Sequence, residues 1–548
     1  MTLQAEVIVD VPIWSLDRPL SYEVPDKLAG ALTLGSIVRV PLKNRRVRGW
    51  VVGVGDRDES KALPIFAASG RGPVFDSALL DAMKGLARRY VRPLAEFLSL
   101  LTPARLGRPV KLKPPANYPK KEGSGFLVRP GSEDPLDRYV ELVQSALADG
   151  RSAIVAVPEV RDGSRVVSAL AAHFGDEAAV VHSGIDPAQR SAELWKIAAG
   201  ERRVVLGGRA SLFVPPLPSP TIILHLEEDP SFKEQRAPYY DARVVAEMRS
   251  RFCGGPFYLV SPTPSLRSMA QVETSLQLME PPRERVRESW PIVETVAPSK
   301  TGMPRRSIAA LIEGNRKGGK SLIVLPRSES TRAGPGVEQT MRFVSRVIPN
   351  AHIARADRAG LESSSGGLTE ALKADIVIGT EAMLADIEHP SFAVAVALDI
   401  DLYLTRPQGR AVEEAFASLW RLGSMATGTD GRGRFLLETA TPEHHVPQAL
   451  VRGDYKFFAR HELEARRAVG APPHTHLIRV MTAAVASQPV SEELRSLPDV
   501  DVIGPADSER GAEILLKTRD LKSLLDGLGT IVRSSSHRIS VEVDPRDW

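Results

Sequence analysis

The sequence predicts an α/β protein with two parallel-sheet lobes in tandem, a β-rich N-terminal domain and a small C-terminal α+β domain. Two observations predict the lobes: short apolar runs alternate with longer amphipathic segments over residues 125–285, and the same alternation returns over residues 286–468. A third observation is the length of 548 residues, which exceeds what a single hydrophobic core usually serves.

The composition excludes several classes of protein. Charged residues make up 25% and the net charge is only +4, so the mildly basic balance does not by itself imply nucleic acid. The single cysteine, Cys253, excludes a disulfide framework and a cysteine-rich zinc site, and a reducing cytosol is expected. Without a signal-peptide pattern or an apolar run of about 20 residues, we expect a cytoplasmic protein with no membrane partner.

Residues 1–101 are predicted to form strands followed by a helical segment. Strands are expected at 6–9, 22–24, 36–40 and 50–54, and a helical run at 76–101. A basic hairpin tip, Lys43 to Arg48, lies between the last two strands, with Trp14 and Trp50 as nearby aromatics. Such a loop is usually only solvated, but a tip this basic favours a second interpretation, phosphate contact and base stacking by Lys43, Arg45, Arg46, Arg48 and Trp50.

Residues 102–124 form a Pro- and Lys-rich linker, which we interpret as a domain boundary. Almost no acid balances its cations, so electrostatic DNA contact is the sharper alternative. The lysines concerned are Lys111, Lys113, Lys120 and Lys121.

The two lobes and the C-terminal domain follow. Lobe strands are predicted at 126–128, 153–157, 178–181, 204–207, 222–226 and 257–260, then at 321–325, 352–356, 375–378, 394–398 and 435–438. Residues 469–548 read β-α-β-α-β, with strands at 477–483, 514–517 and 539–543 and helices at 491–497 and 521–528.

An acidic cluster follows the buried strand that begins at Thr221. The strand runs into Glu227, Glu228 and Asp229. Carboxylates just past a core strand lie where open α/β sheets bind ligands, and in P-loop motors an acid there holds Mg²⁺. A solvated acidic loop is the simpler interpretation.

Short segments in a fixed order carry a resemblance that covers nearly the whole chain. They include residues 20–25, 38–41, 157–160, 207–213, 229–233, 240–243, 261–264, 441–444 and 544–545. In this order and wording the chain resembles the PriA family, the primosomal N′ proteins that restart stalled replication forks. The resemblance implies RecA-like lobes and an N-terminal domain similar to the family's 3′-DNA-end binding domain, with Leu20-Ser21 in place of its Phe-Asp pair.

The same resemblance implies ATP-dependent helicase chemistry, but the motor positions depart from the family pattern. At the P-loop, where Gly131 and Ser132 stand, the lysine position is Asp134 and the Ser/Thr position is Pro135. The two acids Glu133 and Asp134 would repel a triphosphate, and we expect them instead to be acids at the N-terminus of a helix, with Pro135 in its first turn.

The acidic motif and the arginine-finger positions also depart from the family pattern. Leu226 occupies the position of the metal-holding aspartate, which leaves Glu227 and Glu228 as remnants of the acidic motif. Met425 and Gly428 occupy the positions of the arginine fingers, although Arg432 and Arg434 are close in sequence. The family's zinc insert and winged-helix domain are missing, and the histidines offer no convincing metal set.

Three functional interpretations remain at this stage. The first is a PriA-like protein that binds forked or single-stranded DNA and acts in primosome assembly and replication restart without ATPase or helicase activity. The alternative is an active ATP-dependent 3′→5′ DNA helicase with a divergent nucleotide site, for which Arg129 is the local basic candidate. The third is an interaction module with no DNA role. We expect no catalytic residue, no zinc and no required cofactor, with ATP binding left open. We also expect DNA and replication-restart proteins as partners, and a nucleoid-associated location.

Overall fold

A computed structural model of the chain describes residues 2–57, 62–106, 123–130, 134–158, 164–272, 274–299, 302–326, 336–357, 360, 367–386, 391–428, 432–509 and 511–548. The chain divides into two compact units. The first contains the described residues up to Pro130, Asp134–Met279 and Gly470–Arg546, and the second contains Glu280–Val469 with Asp547 and Trp548. The N-terminal and C-terminal segments therefore belong to one unit with the first lobe.

The N-terminal domain is a six-stranded sheet with two helices. Its strands are β1 Thr2–Val9, β2 Leu20–Glu23, β3 Ile37–Leu42, β4 Arg45–Arg57, β5 Leu63–Pro64 and β6 Ala67–Ser69, in the order β5-β2-β1-β4-β3-β6. The predicted helical run at 76–101 is divided into two helices, α1 Ser77–Arg89 and α2 Leu94–Leu100. Val91 takes a positive φ of 49° between them, and Pro93 is the N-cap residue that precedes the second helix.

The first lobe is a seven-stranded parallel sheet in the order β13-β7-β12-β11-β8-β10-β9. Its central strands are apolar runs buried on both faces, as parallel sheets require. The strand Leu276–Met279 at its edge was not predicted. The elements are β7 Gly125–Val128, α3 Pro135–Ala148, β8 Ala153–Ala156, α4 Arg165–Phe174, β9 Ala178–Val181, α5 Pro187–Ala198, β10 Val204–Gly207, β11 Thr221–His225, α6 Ala242–Cys253, β12 Phe257–Val260, α7 Leu266–Gln271 and β13 Leu276–Met279.

The second lobe is a six-stranded parallel sheet in the order β14-β19-β18-β15-β17-β16. Here too an edge strand, Ile292–Val296, was not predicted. The elements are α8 Arg283–Ser289, β14 Ile292–Val296, α9 Arg305–Arg316, β15 Ser321–Leu325, α10 Val337–Val347, β16 Ile353–Ala356, α11 Gly367–Ala371, β17 Ile376–Thr380, β18 Val394–Ala397, α12 Asp401–Leu404, α13 Ala411–Ser424, β19 Arg434–Glu438, α14 His445–Arg452 and α15 Tyr455–Ala468.

The C-terminal module is a four-stranded antiparallel sheet with two helices. Its elements are β20 His476–Thr482, α16 Ser487–Arg495, β21 Val500–Ser508, β22 Gly511–Thr518, α17 Leu521–Ser534 and β23 Ser540–Val543, with the sheet order β21-β22-β20-β23. The predicted β-α-β-α-β pattern lacked β21, in which most residues are exposed and only Val500 and Val502 pack against the core.

One hydrophobic core runs through all three parts of the first unit. Phe97 of the N-terminal domain, Ile222 of the first lobe and Leu524 of the C-terminal module belong to the same buried cluster. Two parallel-sheet lobes, a β-rich N-terminal domain and an α+β C-terminal module confirm the predicted fold class. Within the described residues, none of the helices combines the length and the apolar character that a bilayer crossing requires.

Candidate functional site

The acidic cluster lies where β11 leaves the first lobe's sheet. The strand ends at His225, and Leu226 turns the chain with a positive φ of 53°. A branched residue adopts this left-handed conformation at a cost of about 1 kcal/mol, so the turn must be held by its surroundings. The backbone N–H of Asp229 donates to the Leu226 carbonyl at 2.9 Å, and that of Glu227 donates to the Val260 carbonyl at 3.1 Å.

Glu227 is completely buried, and its carboxylate is occupied by structural donors. Its Oε1 accepts the backbone N–H of Ser265 at 2.6 Å, and its Oε2 accepts the Ser265 hydroxyl at 3.1 Å. The Arg243 guanidinium lies 3.4 Å from Oε2. These bonds anchor the loop before α7, so the side chain has a packing role whatever else it does.

The neighbouring carboxyl group, that of Glu228, differs from Glu227 in its protonation. Burial raises the pKa of Glu228 to about 8, and the adjacent charge of Glu227 adds to the rise. The Thr263 hydroxyl donates to its Oε1 at 3.5 Å. At neutral pH this carboxyl group is therefore mostly protonated in the metal-free protein.

A buried ion network continues from Glu227 along α6. Arg243 donates to both oxygens of Asp241, at 2.9 and 2.7 Å. Burial alone would raise the pKa of Asp241, but Arg243, Arg267 and Lys233 outweigh it and hold that pKa well below its usual range. Arg267 also lies 3.5 Å from Asp544, which follows β23 of the C-terminal module.

The network ties three parts of the first unit together. Arg89 at the end of α1 donates to Asp544 at 2.9 Å, and His476 lies 3.0 Å from the other oxygen of Asp544. The Lys233 ammonium group donates to the Val543 carbonyl at 2.7 Å, and burial lowers its pKa to about 8. The sequence does not indicate the contacts of Asp241 and Asp544, because these contacts join distant parts of the chain.

At the P-loop position the described residues offer a carboxylate and a proline. Asp134 caps α3 by accepting the Leu136 N–H at 3.1 Å and pairs with Arg165, while Pro135 begins the helix. The expected helix start is confirmed. Arg129, the basic candidate of the alternative interpretation, is 9% exposed and donates to the Pro262 carbonyl at 3.3 Å. Gly131 and Ser132 lie outside the described residues.

The arginine-finger positions of the second lobe carry no cation. Met425 is buried, and Gly428 takes a positive φ of 68° in a turn. The nearby arginines are engaged within the same lobe: Arg432 donates to the Trp290 carbonyl at 3.3 Å, and Arg434 pairs with Glu294 at 2.8 Å.

The predicted basic tip is shorter than expected. Only Lys43 and Asn44 form the turn, and Arg45 already begins β4. Lys43, Arg45 and Arg46 are exposed. Arg48 is half-buried and donates to Asp10 at 2.8 Å, so part of its charge is neutralised.

The assignment of Trp50 to base stacking is wrong. The side chain is 0% exposed, and its indole N–H donates to the Thr102 hydroxyl at 2.9 Å. A fully buried ring belongs to the core and cannot meet a base unless that core opens.

Two residues of the basic face were missed. Arg39 pairs directly across from Arg48 in the β3–β4 ladder and is exposed. Phe66 is 48% exposed, and the Arg46 guanidinium lies 3.5 Å from its ring centroid. The alternation of β3, with Arg39 between two buried valines, was the signal available for the first of these.

Two further predictions concern the linker lysines and metal binding. The linker lysines Lys111, Lys113, Lys120 and Lys121 lie outside the described residues. Across the part of the chain that is described, no group of three His, Cys, Asp or Glu side chains is placed to hold a metal ion.

The comparisons with known proteins agree with the sequence pattern. A family model described as a 3′ DNA-binding domain of PriA matches residues 6–103. Replication restart protein PriA of Rickettsia prowazekii is 23% identical over 97% of this chain and 98% of its own length. The Bacillus subtilis PriA protein is 25% identical over 68% of this chain, and the match spans 55% of its length.

A structure of RecG bound to a three-way DNA junction aligns with 70% of this chain and 46% of its own, at 15% identity and a TM-score of 0.41. That likeness is too weak to carry an argument, so the assignment depends on the sequence matches. By these matches the chain is similar to replication restart proteins PriA over nearly its whole length, and its residues 6–103 match the 3′ DNA-binding domain of that family.

Proposed function

We propose that this protein binds forked or single-stranded DNA and supports primosome assembly during replication restart without hydrolysing ATP. The DNA-binding half of the proposal is supported by the family match over residues 6–103 and by the exposed cations Lys43, Arg45 and Arg46. Exposed cations on one domain surface supply the phosphate contacts that dominate affinity for DNA.

One observation carries the second half: the side chains at the motor positions are either uncharged, acidic or already bonded within the fold. Asp134 pairs with Arg165, and Glu227 is held by Ser265 and Arg243. Phosphoryl transfer depends on cations and Mg²⁺ around the transferred group, and these described residues provide neither a cation nor an open acidic ligand. Among the described residues at these positions, which exclude 131–133, the side chains do not fit a bound Mg²⁺–ATP.

The competing candidate is an active ATP-dependent helicase. It requires a cation to reach the triphosphate, and the nearest candidate, Arg129, is buried and bonded to a backbone carbonyl. The PriA proteins to which this chain is similar are replication restart proteins, so restart itself is common to both candidates.

The test measures DNA affinity and phosphate release on the same preparation of the full chain. We expect tight, salt-dependent binding of forked DNA and no release of phosphate from ATP above the protein-free background, with or without the fork. Fork-stimulated turnover that disappears in Glu227→Gln would instead support the helicase. Failure to bind any DNA would favour the interaction module.

A further inference from the structure

The segment Asp544–Trp548, which we call the strap, follows β23 of the C-terminal module and is held at both of its ends. Its residues are divided between the two compact units. Asp544 to Arg546 belong to the first unit, whereas Asp547 and Trp548 belong to the second. The chain therefore passes from one unit to the other within the strap.

The first anchor of the strap is Asp544, which lies in the ion network of the first unit. Arg89 of α1 donates to one of its carboxylate oxygens at 2.9 Å, and Arg267 of α7 lies 3.5 Å from the same oxygen. The His476 ring of β20 lies 3.0 Å from the other oxygen. The backbone N–H of Asp544 also donates to the Leu477 carbonyl at 2.8 Å. This end of the strap is thus bonded to three elements of the first unit.

The second anchor is Trp548, which is half-buried against the loop between α12 and α13 of the second lobe. The backbone N–H of Gly409 in that loop donates to the Trp548 carbonyl at 2.9 Å. A β-carbon added to Gly409 would overlap the indole ring. Gly409 does not adopt a positive φ, so the close approach of the ring, and not the backbone conformation, requires glycine here.

The loop that holds Trp548 is bonded to the packed helices of the second lobe. Arg410, which follows Gly409, lies 3.5 Å from the carboxylate of Glu413 in α13. The buried Arg466 of α15 donates to the same carboxylate at 3.2 Å. The binding position of Trp548 is therefore part of the lobe and not of an isolated loop.

The strap has little slack between its anchors. Four residues lead from Asp544 to Trp548, so even a fully extended chain spans at most about 14 Å between their Cα atoms. Pro545, which is buried, restricts the segment further because its φ is fixed.

We propose that the strap is a conformational restraint, which limits the movement of the second unit relative to the first while both anchors are occupied. Enzymes that cycle with a nucleotide commonly open and close their domains about hinges, and a short strap opposes such movement. The restraint does not depend on the proposed function, because its anchors require neither a nucleotide nor DNA.

The docking of Trp548 is tested by fluorine-19 NMR of the full chain labelled with 5-fluorotryptophan. The chain contains six tryptophans, and Trp548→Phe identifies the signal of Trp548. We expect Gly409→Ala to move that signal to the shift of an exposed tryptophan and to leave the other five in place, because the added methyl group occupies the position of the ring. The matched control is Gly336→Ala in the same unit, where an added β-carbon meets no atom within 4 Å. It should leave all six signals unchanged.

The restraint is tested by single-molecule energy transfer between one dye on each unit. The dyes are attached to cysteines that replace the exposed Lys84 and Lys317, in a chain in which Cys253 is changed to serine. We expect one narrow distribution of transfer efficiency in this parent chain. In Gly409→Ala and in Trp548→Ala we expect the fraction of molecules outside the main peak to rise by about tenfold or more.

Each result decides for or against the strap. An unchanged Trp548 signal in folded Gly409→Ala would mean that the docking is wrong. If the signal moves but the distribution stays narrow in both variants, Trp548 docks without restraining the units, and the proposal is overturned. Thermal unfolding shows whether each variant is folded, and Trp548→Ala keeps the test valid if Gly409→Ala is not. None of these measurements involves ATP or DNA, so failure of the strap and failure of the proposed function are distinguishable.

Discussion

Two groups of charged residues in the first unit have opposite environments. At the carboxyl edge of the first lobe's sheet, Glu227 and Asp241 are buried and bonded to Ser265 and Arg243. On the N-terminal sheet, Lys43 and Arg46 are exposed. Buried charges that are fully paired specify packing, whereas exposed charges remain available to a partner. The buried group therefore contributes to packing, and the exposed cations of the N-terminal sheet are accessible to a partner.

The largest effect is expected from the buried group. Asp241→Asn keeps the cap of α6 but leaves Arg243 and Arg267 without their shared carboxylate, so we expect the free energy of unfolding to fall by about 3–5 kcal/mol. Urea unfolding followed by tryptophan fluorescence measures the change.

The matched control for that change is Asp526→Asn. Asp526 pairs with Arg88, but the two side chains are 51% and 65% exposed. Its loss should cost less than about 1 kcal/mol. Equal losses in the two variants would mean that burial does not separate the two groups of charges.

The next effect concerns the exposed group. Changing Lys43, Arg45 and Arg46 to Glu should weaken binding to forked DNA about a hundredfold at low salt and flatten the salt slope by about two to three. Fluorescence anisotropy over a salt series measures both quantities. Reversal of Arg316, Lys317 and Lys320, exposed cations of the second unit, is the control for net charge. If both variants lose the same DNA affinity, net charge and not a specific surface determines binding.

A smaller effect is expected from Glu228. Its native pKa of about 8 lies above its ordinary value of 4.5, so the folded protein holds a proton that the unfolded chain releases between these values. The free energy of unfolding should therefore fall as the pH rises from about 5 to 8, by up to about 1.4 kcal/mol per pH unit. Glu228→Gln should remove this component from chemical unfolding curves across the range. If the pH dependence of the unfolding free energy is the same in Glu228→Gln, the pKa of Glu228 is not raised in the folded protein.

The smallest effect is expected at the P-loop position. Asp134→Ala removes the cap of α3 and the pair with Arg165, and should cost about 1 kcal/mol, whereas Asp134→Asn should cost less because asparagine also caps. Thermal unfolding compares the two. A gain of more than a few degrees in melting temperature for Asp134→Ala would contradict the capping role.

The fold class was predictable because the strands of both lobes are apolar runs buried on two faces, and such runs are visible in sequence. The edge strands Leu276–Met279 and Ile292–Val296 were not predicted, because each has only one buried residue and therefore no apolar run. Pro93 indicated that α1 and α2 are separate helices. The apolar spacing of the whole segment, however, favoured one continuous helical run.

The site was less predictable. Trp50 and Trp14 are both tryptophans near basic residues, and only the packing of Thr102 against one and of α17 beside the other distinguishes them. The contact between Lys233 and Val543 joins residues 310 positions apart, which no local pattern can indicate. Charge at a sequence position indicates chemistry, but burial decides what that charge does.

The most direct test of the central claim is a calorimetric titration of ATP and Mg²⁺ into the full chain, alone and with forked DNA bound. We expect heat from fork binding in a parallel DNA titration and no saturable heat from ATP in either state. Saturable ATP binding that the fork strengthens, followed by turnover, would contradict it.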